Sequence, residues 1–230
     1  VINYHFYNNN GDILARSQAS TGVAPELSMA ADIADAFVRL GKQYHVPVWV
    51  TESGYDINPG SNQRAIAIGS KSALITQADW NLRTALLYMR HGIQRLYYYM
   101  LFDAATGSST QYATSGLAES GKRRPSADYI LQTSKLMGDY TYNATISQDP
   151  LVDKYVSGSK TIYVLTIPDQ KNRAADYTLD MGTKTVSANI YTPKIGADAM
   201  TKTTAAPVAG KLKVTVTETP VFVEALTSAK

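Results

Sequence analysis

Up to about residue 139 the chain alternates between short apolar runs rich in β-formers and longer segments of helical period; beyond it the helical period stops. Met29, Ile33, Phe37 and Leu40 recur three or four residues apart, as do Leu82, Leu86, Met89 and Ile93, the spacing that puts side chains on one face of a helix. The expected order is a strand over Val1–Tyr7, a helix over Glu26–Tyr44, a strand over Val46–Thr51, a helix over Gln77–His91, a strand over Gln94–Phe102, and a helix opened by Pro125–Ser126 and closed near Gly138. Pro47 stops the first helix and Gly92 suits the position just past the second. Alternation of this kind predicts a parallel sheet with helices packed outside it, joined by right-handed crossovers. Three such units form only part of a closed barrel.

From Tyr140 onward the grammar changes. Asp153–Ser157, Thr161–Ile167, Asp176–Asp180, Ser187–Tyr191, Lys211–Thr217 and Pro220–Glu224 are short β-prone segments separated by Gly, Pro, Asn and Asp turns. Lys211–Thr217 alternates strictly, so one face is expected buried and the other wet. The chain therefore divides into residues 1–139, three β/α units, and residues 140–230, an antiparallel sandwich of six to eight strands. The sandwich reads as a stability module with no site of its own.

At 230 residues the chain has room for one large domain or two. No run approaches the ~18 consecutive apolar residues of a membrane span, and no basic stretch precedes an apolar one at the start, so no membrane partner is expected. The net charge of +3 is thinly spread; the one local basic cluster, Lys122-Arg123-Arg124, reads as a solvated turn, and no nucleic-acid partner is expected. The lack of cysteine excludes a disulfide scaffold, a thiol nucleophile and a cysteine-ligated metal. His45 and His91 fall at helix ends, and no His-x-His or His-Glu-x-x-His spacing occurs. A metal hydrolase would have to draw on His5, Glu52 and Asp103, and the reading calls for no cofactor. Sixteen tyrosines against four phenylalanines favour surfaces with an apolar face and a polar tip, suited to polyhydroxylated ligands and to half-buried strands. Because Val1 stands inside a β-prone run, an upstream portion is expected.

The run Val46–Thr51 ends at Glu52, two residues before the turn residue Gly54. In a barrel of parallel strands, side chains at the carboxyl ends point into the mouth, where an ionisable residue reads as catalytic. A solvated residue opening a loop would look the same.

Four stretches in order, Tyr4-His-Phe-Tyr7, Val50-Thr-Glu-Ser-Gly-Tyr-Asp56, Gln77-Ala-Asp-Trp-Asn-Leu-Arg83 and Tyr99-Met-Leu-Phe-Asp103, resemble the last three units of a clan A retaining glycoside hydrolase. The closing Val216-Thr-Glu-Thr-Pro-Val-Phe-Val223 is similar to the β-domain that often follows such barrels. The resemblance covers nearly the whole chain and implies the C-terminal part of a TIM (β/α)8 barrel followed by an antiparallel β-sandwich. It implies Glu52 as nucleophile, Tyr7 as the residue that orients it, and His5 as a donor to the substrate or to the acid/base. Tyr55, Asp56 and Asp103, in loops of the same face, are expected to contact sugar hydroxyls. Tyr99 stands where the clan usually has the tryptophan that floors the sugar site, and is likewise expected to bind substrate. The Asn-Glu pair that carries the acid/base in this clan is not found in the sequence. The implied partners are thus an oligo- or polysaccharide substrate and an upstream barrel segment or a cleaved partner chain supplying the acid, and the implied location is secreted or periplasmic. Were the chain active alone, the acid would be sought among Asp56, Asp103 and Glu119. The alternative reading is a non-catalytic carbohydrate-binding or scaffold protein derived from such a barrel.

Overall fold

The structure, a computed structural model, describes residues 1–12, 14–105 and 107–227. It comprises two compact units, Val1–Ile130 and Leu131–Lys230.

In the first unit β1 (Ile2–His5), α1 (Ala30–Gln43), β2 (Val48–Ser53), α2 (Ala73–Arg90) and β3 (Arg95–Tyr98) follow one another. The three strands form one parallel sheet in the order β1-β2-β3. Val48 and Val50 of the central strand are buried, and they pack with Ala30 and Ala34 of α1 and with Leu87 and Tyr88 of α2. Tyr4 of β1 stacks on Phe37 of α1 with ring centroids 4.3 Å apart. The intervening side chains point to the other face. There Asn3, Trp49 and Arg95 stand in register across the three strands, and the Arg95 guanidinium lies 5.1 Å from the Trp49 ring centre. This face is half-exposed, Tyr97 to 45%. A small hairpin, β4 (Ala118–Glu119) and β5 (Lys122–Arg123), precedes α3 (Pro125–Met137), which runs across the division between the units.

The helix expected over Glu26–Tyr44 is a 3-10 turn, Pro25–Leu27, followed by α1. Ser28 makes the break: its N–H donates to Pro25 O at 3.2 Å, and its Oγ accepts the free N–H of Ala30 at 3.1 Å. Gly41 lies in the last turn of α1 because a Cβ there would stand 2.5 Å from Val48 Cγ2, so the glycine lets helix and strand touch. At the end of α2, Gly92 (φ 83°) donates to Met89 O and Ile93 to Tyr88 O, the paired bonds of a glycine-terminated helix. The strand expected over Gln94–Phe102 pairs only over Arg95–Tyr98. Beyond it the chain leaves the sheet, with Met100 N–H donating to Ser115 O and Leu117 N–H to Met100 O.

Among the described residues the second unit holds eight strands: β6 (Thr141–Gln148), β7 (Leu151–Ser157), β8 (Lys160–Thr166), β9 (Ala175–Asp180), β10 (Thr185–Thr192), β11 (Thr201–Ala205), β12 (Lys211–Val216) and β13 (Val221–Thr227). Six of them form an antiparallel sheet in the order β11-β10-β13-β8-β7-β6, and β9 and β12 form a ribbon. Leu212, Val214 and Val216 of the strictly alternating β12, with Leu179 of β9, share one core with Val152, Leu165, Val221 and Val223 of the large sheet. Among the described residues, no helix is long and apolar enough to cross a membrane.

Candidate active site

Glu52 stands near the carboxyl end of the central strand, and the parallel neighbour β1 brings His5 opposite it in register. Phe6 N–H donates to Glu52 O at 3.1 Å, which keeps the two strand ends together past a bulge between Tyr4 and His5. Glu52 Oε2 accepts a hydrogen bond from the Tyr7 hydroxyl at 3.0 Å and lies 3.4 Å from His5 Nδ1. The Glu52 side chain keeps 35% of its exposure, so one side of the carboxylate is reachable from solvent. The cleft over it has a volume of about 540 Å³ and is lined by His5, Tyr7, Asn9, Glu52, Gln63 and Tyr112. Burial, then the hydrogen bond and the charge of Glu52, push the Tyr7 phenol well above its ordinary range. Tyr7 therefore remains a proton donor to Glu52 at any physiological pH.

Gly54 fixes how the strand ends meet. Its φ of 154° and the Tyr99 carbonyl, 2.6 Å from where a Cβ would sit, leave no room for a side chain. Tyr99 N–H in turn donates to Ser53 O at 2.8 Å. Tyr99, 38% exposed, meets the ring of Tyr112 edge-on at 6.2 Å, and Tyr112 packs against Tyr7 at 4.5 Å. Tyr112 carries no sequence signal. It comes from a loop far along the chain and is brought here by the folding of that loop.

Three residues expected to meet sugar hydroxyls have their polar atoms bonded within the protein. Tyr55 is fully buried; its hydroxyl donates to Val23 O at 2.9 Å, and its ring packs on Trp80 at 5.1 Å. Asp56 is fully buried and accepts from Ser61 Oγ (2.5 Å), Tyr112 N (2.8 Å), Thr114 N (3.0 Å) and Thr114 Oγ1 (3.1 Å). Asp103 holds Arg124 through two bonds of 2.9 and 2.6 Å and accepts Gly116 N–H at 2.9 Å. In each case the polar atoms are used up in tying loops together, because a buried polar group without a partner is costly. The basic cluster is likewise only partly a solvated turn: Lys122 and Arg123 are exposed, whereas Arg124 keeps 4% of its side-chain exposure. Glu119, at 40% exposure, lies 3.2 Å from Arg124 Nη2. Among the described residues no three His, Asp or Glu side chains converge to hold a metal ion.

No family model matches the chain and no curated protein matches it in sequence. Its fold does match solved structures. A family 39 glycoside hydrolase from the gut symbiont Bacteroides cellulosilyticus WH2 superposes with a TM-score of 0.68 at 16% identity, over 97% of this chain and 44% of that one. CelM2, a bifunctional glucanase-xylanase protein from a metagenome library, gives 0.60 at 11% identity, over 98% of this chain and 43% of the other. A GH30 endoxylanase from Clostridium papyrosolvens C71 gives 0.56 at 13% identity, over 88% and 47%. The chain thus spans less than half the length of each of these neighbours, and at such identities the likeness is one of fold.

Proposed function

We propose that this chain carries the nucleophile half of a retaining glycoside hydrolase. The observation that carries the reading is Glu52 at a parallel strand's carboxyl end, hydrogen-bonded by Tyr7 at 3.0 Å and open to a cleft. In double displacement a Glu52 oxygen attacks the anomeric carbon as the glycosidic C–O bond breaks. The leaving oxygen takes a proton from a second carboxylic acid, and that group then deprotonates the water that releases the sugar. The second group has to stand ~5 to 5.5 Å from the first. Of the described residues lining the cleft, Glu52 is the one carboxylate, and Asp56 and Asp103 are committed elsewhere.

The acid is accordingly proposed to arrive with further β/α units, upstream in the same polypeptide or on a partner chain, that complete the barrel. Among the described residues no further strand joins the sheet beyond β1 or β3, and this and the half-exposed sheet face favour it, since parallel sheets are covered on both faces. The two units described here then correspond to the last part of a (β/α)8 barrel and its trailing sandwich. The substrate class is an oligo- or polysaccharide acted on outside the cytoplasm; the glucanase and xylanase named among the fold neighbours suggest glucosyl and xylosyl probes.

The test is covalent trapping. A 2-deoxy-2-fluoro glycoside with a dinitrophenolate leaving group needs no acid to depart, so it reports the nucleophile alone. Glucosyl and xylosyl forms are incubated with the protein, and the labelled peptide is mapped by mass spectrometry. Labelling of Glu52, abolished in Glu52→Gln, is the expected result; labelling that persists in Glu52→Gln would overturn the assignment. The single carboxylate of the cleft also favours a second reading, a carbohydrate-binding protein without turnover. Saturable oligosaccharide binding with no label on Glu52 would establish it.

A further inference from the structure

We infer that Asp56 is a positioning residue for the Glu52 site: it holds Tyr112 in a left-handed backbone so that the Tyr112 ring backs Tyr7, the donor to Glu52. The inference rests on the role proposed above for Glu52. Tyr112 has φ 69°, a conformation disfavoured for a side chain of that size and sustained only where the surroundings over-determine it. Here the surroundings are chiefly one carboxylate. Asp56 Oδ2 accepts Tyr112 N–H at 2.8 Å, and Oδ1 accepts Thr114 N–H at 3.0 Å, so two backbone donors flanking Ala113 are pulled onto one buried anion. Ser61 Oγ and Thr114 Oγ1 complete its shell. Ser115 Oγ donates to Tyr112 O at 3.0 Å, fixing the other side of the same residue.

A loop anchored only for stability could place a glycine or asparagine at that φ without strain. Instead the position bears a ring that lies 4.5 Å from Tyr7 and 6.2 Å, edge-on, from Tyr99, and that lines the cleft over Glu52. The chain of support thus runs from Asp56 through the Tyr112 backbone and ring to Tyr7, and so to the Glu52 rotamer. Asparagine cannot replace Asp56 in this role. Each carboxylate oxygen serves one backbone N–H, and an amide would turn its own N–H₂ toward one of them.

The test compares Asp56→Asn, Tyr112→Ala and the double variant with the wild type, using the dinitrophenyl 2-deoxy-2-fluoro-glucoside and -xyloside. It reads the trapping rate constant at saturation and the melting temperature. Each single variant is expected to slow trapping by about ten-fold, and the double variant no further, as for residues acting in one chain. Trapping unchanged in Asp56→Asn well below its melting point, or effects that multiply in the double variant, would overturn the inference. Should Asp56→Asn not fold, Tyr112→Gly removes the ring while relieving the backbone strain; the same slowing with an unreduced melting temperature supports the inference, and wild-type trapping overturns it. Should the wild type not be labelled, the reading of Glu52 fails. The crystal structure of Asp56→Asn, or of Ser61→Ala/Thr114→Val if that variant does not fold, then decides whether this shell holds Tyr112. Displacement of the Tyr112 ring from Tyr7 sustains the positioning, and retention of the wild-type position refutes it.

Discussion

A phenol that donates to a carboxylate holds its rotamer as well as favouring its charge, and Tyr7 does both for Glu52 at 3.0 Å. Such a charge-assisted bond is worth about 1.5 to 3 kcal/mol. Tyr7→Phe in the complete enzyme is therefore expected to slow the glycosylation step by about ten- to a hundred-fold. Pre-steady-state kinetics on an aryl glycoside would measure it, and a rate within two-fold of wild type (about 0.4 kcal/mol) would remove Tyr7 from the proposed mechanism. The nearness of these two residues could be read from the chain, because each stands at the end of a short apolar run and parallel strands align their ends. Tyr112 could not, since it lies 56 residues beyond the aspartate that places it and its loop has no period. The burial of Tyr55, Asp56 and Asp103 was equally hidden. A polar residue in a loop looks alike in sequence whether it faces water or ties two loops together.

Elements here are joined by a few contacts that leave little tolerance. Gly54→Ala is expected to cost several kcal/mol, because the added Cβ would meet the Tyr99 carbonyl at 2.6 Å and backbone cannot swing aside as a side chain can; urea unfolding would show it, and a loss below about 0.5 kcal/mol would contradict the close approach. A second joint is the fully buried Arg83 of α2, which takes Glu26 of the 3-10 turn in two bonds of 3.1 and 2.5 Å. Burial works against its charge, but Glu26, through charge and hydrogen bond, together with Asp79 and Tyr55 outweighs it and raises the guanidinium above its ordinary value. Glu26→Ala should therefore cost about 3 to 5 kcal/mol by leaving a buried cation short of its partner, whereas the double change Glu26→Leu/Arg83→Met should cost less. Chemical denaturation of both variants checks the order. α1 and α2 were legible from their apolar stripes. β6 and β11 were not: they lie at the two edges of the large sheet, and β11 buries almost nothing, so neither has a continuous apolar face to betray it.

The whole molecule carries a marked alkaline liability. Burial raises the phenols of Tyr4, Tyr55, Tyr88, Tyr98 and Tyr129 in the first unit above their ordinary value of 10.0. In the second unit, burial and then Glu224 push Tyr191 up to about 12. A raised folded value means that the native state keeps protons the unfolded chain has lost, so this contribution is complete below about pH 10 and drains away as pH rises beyond it. Stability should fall above about pH 10, and more steeply for the first unit; thermal melts across the alkaline range would show this, and a flat profile to pH 12 would contradict it. Both tryptophans belong to that unit: Trp80 is sealed in its core, and Trp49 lies on the half-exposed sheet face beside Arg95. The sandwich is therefore dark under tryptophan-selective excitation. Emission from this chain follows the parallel unit alone, and in a Trp80→Phe background its colour and quenching become a lamp that registers whether anything has come to rest over Trp49.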